Sequence, residues 1–158
     1  MRRSKPDVAD PAACERTALD LLARREHSRR ELERKLGARG FADELIAPTL
    51  DALEESGELA SARFTASFIR ARAAKGQGPA RIRAELAERG IDREQAAEHF
   101  RAAAIDWAAV ANSVREKRFG AGPPSDFKER ARQARFLEYR GFDRGQIGRA
   151  LGSGDDPD

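Results

Sequence analysis

Leu32-Glu33-Arg34-Lys35-Leu36-Gly37-Ala38-Arg39-Gly40-Phe41 is the stretch whose reading decides the fold. Leu32 and Leu36 stand four apart, so on a helix they share one face. Arg39 falls in the last turn, where a cation suits the negative end of the helix dipole. Gly40 follows, and glycine readily takes the left-handed conformation that closes a helix. Phe41 can then pack back on the helix just left. The stretch reads as a helix with a built-in stop.

Two further segments align with it. One runs from Ile82 to Leu86-Ala87-Glu88-Arg89-Gly90-Ile91, the other ends Leu137-Glu138-Tyr139-Arg140-Gly141-Phe142. Leu, Arg and Gly coincide at 36/86/137, 39/89/140 and 40/90/141, at intervals of 50 and 51 residues, and an apolar residue follows each Gly. One such match could be chance; the same match twice in phase marks a repeat.

The flanks repeat as well. After each stop a short helix is expected, with inward positions Ile46/Ala96/Ile147 and Leu50/Phe100/Leu151. Asp92 with Gln95 and Asp143 with Gln146 have capping-box spacing, and Pro48 falls inside the first copy, where a kink is expected. Before each stop-bearing helix comes another. Asp10-Pro11 starts the first of these, and Ser28 with Glu31 is expected to box the helix that follows it. Phe64 and Phe68 face one way in the second copy; Trp107, Val110 and Val114 do so in the third. Gly78-Pro79 and Ser125 restart the chain, and the third middle helix reads about one turn longer than the others.

β-branched residues are few and never alternate, so no strands are expected. The fold class is all-α: an elongated, curved array of three tandem three-helix repeats, at 10–59, 60–104 and 105–151. Residues 1–9 and the Gly/Ser/acidic tail 152–158 are expected to be disordered. Each unit of about 50 residues is marginal alone, so neighbours should share apolar surface.

The 158 residues carry 30 basic and 27 acidic side chains, a net charge of +3, unevenly spread. Residues 24–39 are net +4, 40–62 net −6, and 63–93 and 107–149 net +5 each. Three basic blocks at regular spacing point to a polyanionic or acidic partner. There is no run of 18 apolar residues, so no membrane span is expected. The start has no apolar run of a secretory signal, and one cysteine cannot form an internal disulfide; the cytoplasm is the expected compartment.

Enzyme signals are poor. His27 and His99 are isolated and read as surface residues, Cys14 as a small half-buried thiol. There is no metal-ligand spacing, and the acidic residues come in adjacent pairs that do not converge on a helix. Lys75-Gly76-Gln77-Gly78-Pro79 lacks the phosphate-loop pattern and reads as a turn; the amides after Pro79 could still meet an anion. No enzyme activity and no cofactor are expected.

These residues resemble the RecX family of RecA regulators. The matching runs are Ala18-Leu19 and Leu22 through Leu32, Lys35-Leu36, Gly40-Phe41, Arg63-Phe64, Lys75 through Leu86, Gly90-Ile91-Asp92, Phe136-Leu137, Arg140-Gly141-Phe142 and Ile147. Together they cover roughly 15–151. One departure is Ala60-Ser61 before Arg63, where the family often has an acidic pair. The resemblance implies tandem three-helix repeats and no catalysis. It implies a negative regulator that binds the groove of the RecA filament on single-stranded DNA. Such proteins restrain ATP hydrolysis, strand exchange, coprotease activity and filament growth, so recombination, repair and the SOS response are affected. It also implies a weak direct contact with DNA, and the chain is expected to be monomeric.

The physics suits that implication, because spaced contacts on one rod add through effective concentration. The candidate partner-binding residues are basic: Arg25, Arg29, Arg30, Arg34 and Lys35 in the first repeat; Arg70, Arg72, Lys75, Arg81 and Arg83 in the second; Arg115, Lys117, Arg118, Arg130, Arg132 and Arg135 in the third. The alternative is a helical module acting directly on DNA, although 44–56 and 93–103, its recognition helices, are neutral to acidic. A scaffold for some other protein is a third class.

Overall fold

The computed structural model describes residues 4–152, and among these it contains nine helices and no strand. The order is α1 (Pro11–Arg24), α2 (Arg29–Ala38), α3 (Asp43–Glu55), α4 (Ser61–Ala74), α5 (Pro79–Glu88), α6 (Arg93–Ala103), α7 (Trp107–Phe119), α8 (Phe127–Tyr139) and α9 (Arg144–Ala150). These are three helix triplets, the all-α repeat architecture read from the sequence. With 13 residues against 10 in α2 and α5, α8 is the longer middle helix. Most of the tail segment, and residues 1–3 of the start, lie outside the described residues.

The stops form as the sequence dictates. Gly40, Gly90 and Gly141 have φ of 96°, 83° and 100°. In two of them the next apolar residue turns its amide back: Phe41 donates to the Leu36 carbonyl and Phe142 to that of Leu137, each at 3.2 Å. This is the six-to-one bond of a Schellman closure.

The starts follow the capping chemistry with two corrections. Asp92–Gln95 and Asp143–Gln146 form full reciprocal boxes. At α2 only half a box exists: Ser28 accepts from the Glu31 amide, but the Glu31 carboxylate is drawn to Arg25 at 2.7 Å. A charge-assisted bond outcompetes a neutral backbone donor. At α8 the cap is Asp126, whose carboxylate accepts from the Glu129 amide, and not Ser125.

The chain divides into two compact units: residues up to Ser67 with Glu88–Ile91, and Phe68–Ala87 with the chain from Asp92 onward. In the first, α1, α2 and α3 close around Ala18, Leu21, Leu32, Leu36, Phe41, Ile46, Leu50 and Leu53. Cys14 lies wholly inside this core rather than at its edge, because it shares the α1 face with Ala18 and Leu21. Pro48 sits inside α3, where its ring removes the amide that would bond to the Glu44 carbonyl. In the second unit, α7, α8 and α9 bury Ala111, Leu137, Phe142, Ile147, Ala150 and Leu151. Trp107, Val110, Val114 and Phe136 pack against that cluster.

Candidate interaction surface

In the first unit the basic residues cluster at the start of α2, and two of them, Arg25 and Arg29, are held by carboxylates. Glu31, with a side chain only 7% exposed, takes Arg25 at 2.7 Å and Arg89 at 3.7 Å. Arg29 reaches Glu33 at 3.1 Å, Asp51 at 2.7 Å and Glu54 at 3.2 Å. Burial opposes its charge, but these three carboxylates hold the guanidinium firmly protonated. Arg30 is exposed and donates to the Glu88 carbonyl at 3.4 Å; Arg34 is exposed.

His27 is not a surface residue. It is 1% exposed, and its Nδ1 lies 3.0 Å from the Arg25 carbonyl while Nε2 lies 2.9 Å from Lys35 Nζ. A carbonyl can only accept and an ammonium can only donate, so the ring is neutral with its hydrogen on Nδ1. Burial pushes the His27 pKa below its ordinary value, and the charges of Arg25 and Lys35 add to this. Burial also lowers Lys35, with the Arg25 charge second. For Glu31 burial works the other way, but the Arg25 hydrogen bond and charge outweigh it and hold the carboxyl below its usual range.

In the second unit, Arg72 and Arg81 converge on Glu85 at 3.4 and 3.7 Å. Arg72 also covers the Phe68 ring at 4.6 Å, and Arg83 covers that of Phe100 at 4.5 Å. Arg130 donates to the Leu151 carbonyl at 3.1 Å, closing the end of α9. Arg70 is exposed near the end of α4.

Arg115 needs correction as a surface contact. It is 4% exposed and bonds to Asn112 Oδ1, the Gly122 carbonyl at 3.0 Å and Gln133 Oε1 at 3.4 Å. It stands four residues after the buried Ala111, so the helix turns it inward. That spacing was readable in the sequence. The amides on either side of Pro79 are also occupied: Gly78 and Ala80 donate to the carbonyls of Arg140 and Gly141 at 2.8 and 3.0 Å. The start of α5 is therefore a backbone joint and leaves those two amides no anion to meet.

Two exposed groupings remain. Lys75, Lys117 and Arg118 line one cleft with Arg140, the repeat arginine at the end of α8, which is not among the candidate contacts. On α8, Lys128, Arg132, Arg135 and Tyr139 recur at intervals of four, three and four, which places them on one solvent-facing stripe. Tyr139 is 82% exposed, and Phe127 at the start of the helix is 86% exposed. The spacing opposite the buried Gln133 and Leu137 was the available signal for Lys128 and Tyr139. Among the described residues no group of His, Cys, Asp or Glu could hold a metal ion, and no helix is long and apolar enough to cross a membrane.

Comparison with known proteins decides the family. Models described as the first, second and third three-helix domains of RecX match residues 14–53, 62–99 and 105–151, in chain order. The chain belongs to the RecX family. A relative named regulatory protein RecX from Pseudomonas entomophila is 52% identical over 145 residues, covering 92% of this chain and 94% of that one. One of the same name from Halorhodospira halophila is 48% identical over 141 residues, 89% of this chain and 88% of that. The crystal structure of RecX from Lactobacillus salivarius superposes with a TM-score of 0.76 at 20% identity, covering 93% of this chain and 97% of that one. At that identity the likeness speaks for the RecX fold alone. The family is one of regulatory proteins built from three-helix domains.

Proposed function

We propose that this chain is a negative regulator of RecA that binds in the groove of the RecA filament on single-stranded DNA. It restrains ATP hydrolysis, strand exchange, coprotease activity and filament growth, acting in the cytoplasm as a monomer and by binding rather than turnover. The observation that carries this reading is the run of three RecX domain matches in order across 14–151. The repeats are taken as 10–59, 60–104 and 105–151, each bringing its own cations to the filament. The contact residues are the exposed ones: Arg25, Arg30, Arg34, Arg70, Lys75, Lys117, Arg118, Arg132 and Arg135. Spaced weak contacts on one chain combine through effective concentration. The test is RecA ATP turnover on single-stranded DNA. Turnover falls at amounts of this protein well below that of RecA; unchanged turnover at equal amounts overturns the reading.

A direct contact with DNA is the second reading, and the α8 stripe favours it. Cations beside an exposed aromatic ring suit a single strand, with phosphates on the charges and a base on the tyrosine. Binding to an oligonucleotide that falls steeply with salt, and weakens in Arg135→Ala and Tyr139→Ala, supports it as a secondary property. Base preference that survives moderate salt would make it the primary function.

A further inference from the structure

The cleft in the second unit carries more than a share of positive charge. It is a cavity of about 710 Å³ between the end of α4, the outer face of α7 and the end of α8. That is within the range of small-ligand and side-chain pockets. Its floor is apolar, built by the half-buried Val110, Val114 and Phe136. Its rim is cationic, from Lys75, Lys117, Arg118 and Arg140, and no acidic residue lines it.

The absence of acid distinguishes this cleft from the ion-paired arginines of the chain. Arg25, Arg29, Arg63, Arg72, Arg81 and Arg89 each meet a carboxylate within 4 Å. Among the described residues, none of the four rim cations does. Arg140 is fixed by a bond to the Lys75 carbonyl at 3.2 Å, and its Nε finds no acceptor. Gly76 holds the end of the cleft in shape: its φ is +81°, and a Cβ there would stand 2.5 Å from Val114 Cγ2 and 3.0 Å from the Arg140 guanidinium. Arg140 and the floor are thus set by packing before any partner arrives, which favours binding.

We infer that this cleft is the docking site for an acidic peptide segment of a partner protein, with an apolar side chain of the segment seated on Val110 and Val114. Carboxylates on either side of that anchor meet Lys75, Lys117, Arg118 and Arg140. The inference deepens the regulatory reading, since it rests on the chain acting by binding another protein. Nucleic acid fits this site less well. Phe136, the one aromatic ring in it, is flanked by the Arg118 and Arg140 guanidinium groups at 5.9 and 5.8 Å and by the edge-on Phe119 ring at 5.3 Å. That ring is already engaged by cations and a neighbouring ring, which leaves a base less to stack on. The exposed tyrosine that would suit a base, Tyr139, is not part of the cleft lining.

The probe is a short fluorescein-labelled polyglutamate peptide with a central Leu-Phe pair, titrated with the full chain and read by fluorescence anisotropy. Lys117 and Arg118 are exposed, so the double variant K117A/R118A keeps the fold. It weakens peptide binding about tenfold, the loss expected for two partly solvated charge contacts. Replacing the Leu-Phe pair of the peptide with two serines costs about as much. The control K128A/R135A, on the α8 stripe and clear of the cleft lining, binds the peptide as the parent does, and oligothymidylate fails to displace it. The inference is overturned by any of four results: no saturable binding, equal weakening in both double variants, no loss with the serine peptide, or displacement by oligothymidylate. RecA ATP turnover in the same samples separates the two readings. Restrained turnover without peptide binding sinks this inference alone; peptide binding with unrestrained turnover sinks RecA regulation alone.

Discussion

The start of α2 meets the end of α5, and the start of α5 meets the end of α8, yet the two joints are built differently. At the first, side chains do the joining. Arg30 lies over Gly90 and donates to the Glu88 carbonyl at 3.4 Å, while Arg89 reaches Glu31 at 3.7 Å. A Cβ on Gly90 would stand 3.5 Å from Arg30 Nε, an ordinary contact. At the second, backbone meets backbone. Gly78 and Ala80 donate to Arg140 and Gly141, and a Cβ on Gly78 would lie 2.3 Å from the Gly141 carbonyl carbon. The same Leu-Arg-Gly signature ends both α5 and α8. It prescribes a left-handed closure in each, but says nothing of how near the next helix comes.

The largest expected effect follows directly. Gly141→Ala places a Cβ 2.6 Å from Arg81 Cβ at a φ of +100°, so strain and overlap add. It should cost more than about 3 kcal/mol in urea unfolding, while Gly90→Ala, with strain alone, should cost about 1 kcal/mol. Equal costs would break the distinction between the joints.

Glu31→Ala comes next. It removes the buried carboxylate that Arg25 and Arg89 share, the hub of the first joint, at a cost of about 2 kcal/mol. A loss under about 0.5 kcal/mol would show that the hub is solvated in practice.

The pH dependence is smaller and belongs to the first joint's neighbour His27. Unfolded, His27 takes a proton near its ordinary value of about 6.5; folded, burial beside Arg25 and Lys35 lowers that value. The unfolded chain therefore binds more protons as pH falls below about 6.5. Stability is fully present above that pH and declines towards the folded value. A second decline, from Glu31, begins as pH falls into the ordinary glutamate range and continues below it. The thermal midpoint should fall by a few degrees between neutral pH and pH near 5, and this fall should shrink in His27→Gln. A midpoint flat across that interval would contradict the buried neutral ring.

Arg30→Ala is expected to be the mildest, within about 0.5 kcal/mol, because its contact is long and exposed. A larger loss would make the first joint as exacting as the second.

Much of the fold was legible because its signals are local. Leu36 through Phe41 hold a stop within six residues, and Asp92 with Gln95 hold a start within four. Capping reads only a few neighbouring amides and carbonyls, so spacing suffices. The candidate surface was less legible. Arg115 looks like any cation in a basic block, yet Gly122 and Gln133 on other segments fill its hydrogen bonds. His27 looks isolated until Lys35 and the Arg25 carbonyl close around it. The box expected from Ser28 and Glu31 failed because Arg25 offered a stronger partner.

What the residues alone determined is the series of helices among the described residues, their stops and most of their caps, since each depends on atoms a few residues apart. Only the tertiary structure decided which cations are engaged and which stand free. That depends on carboxylates and carbonyls brought in from distant positions, as Asp51 is to Arg29 and Lys75 to Arg140. Charge acts through space, and in a folded chain distance in space is not distance in sequence.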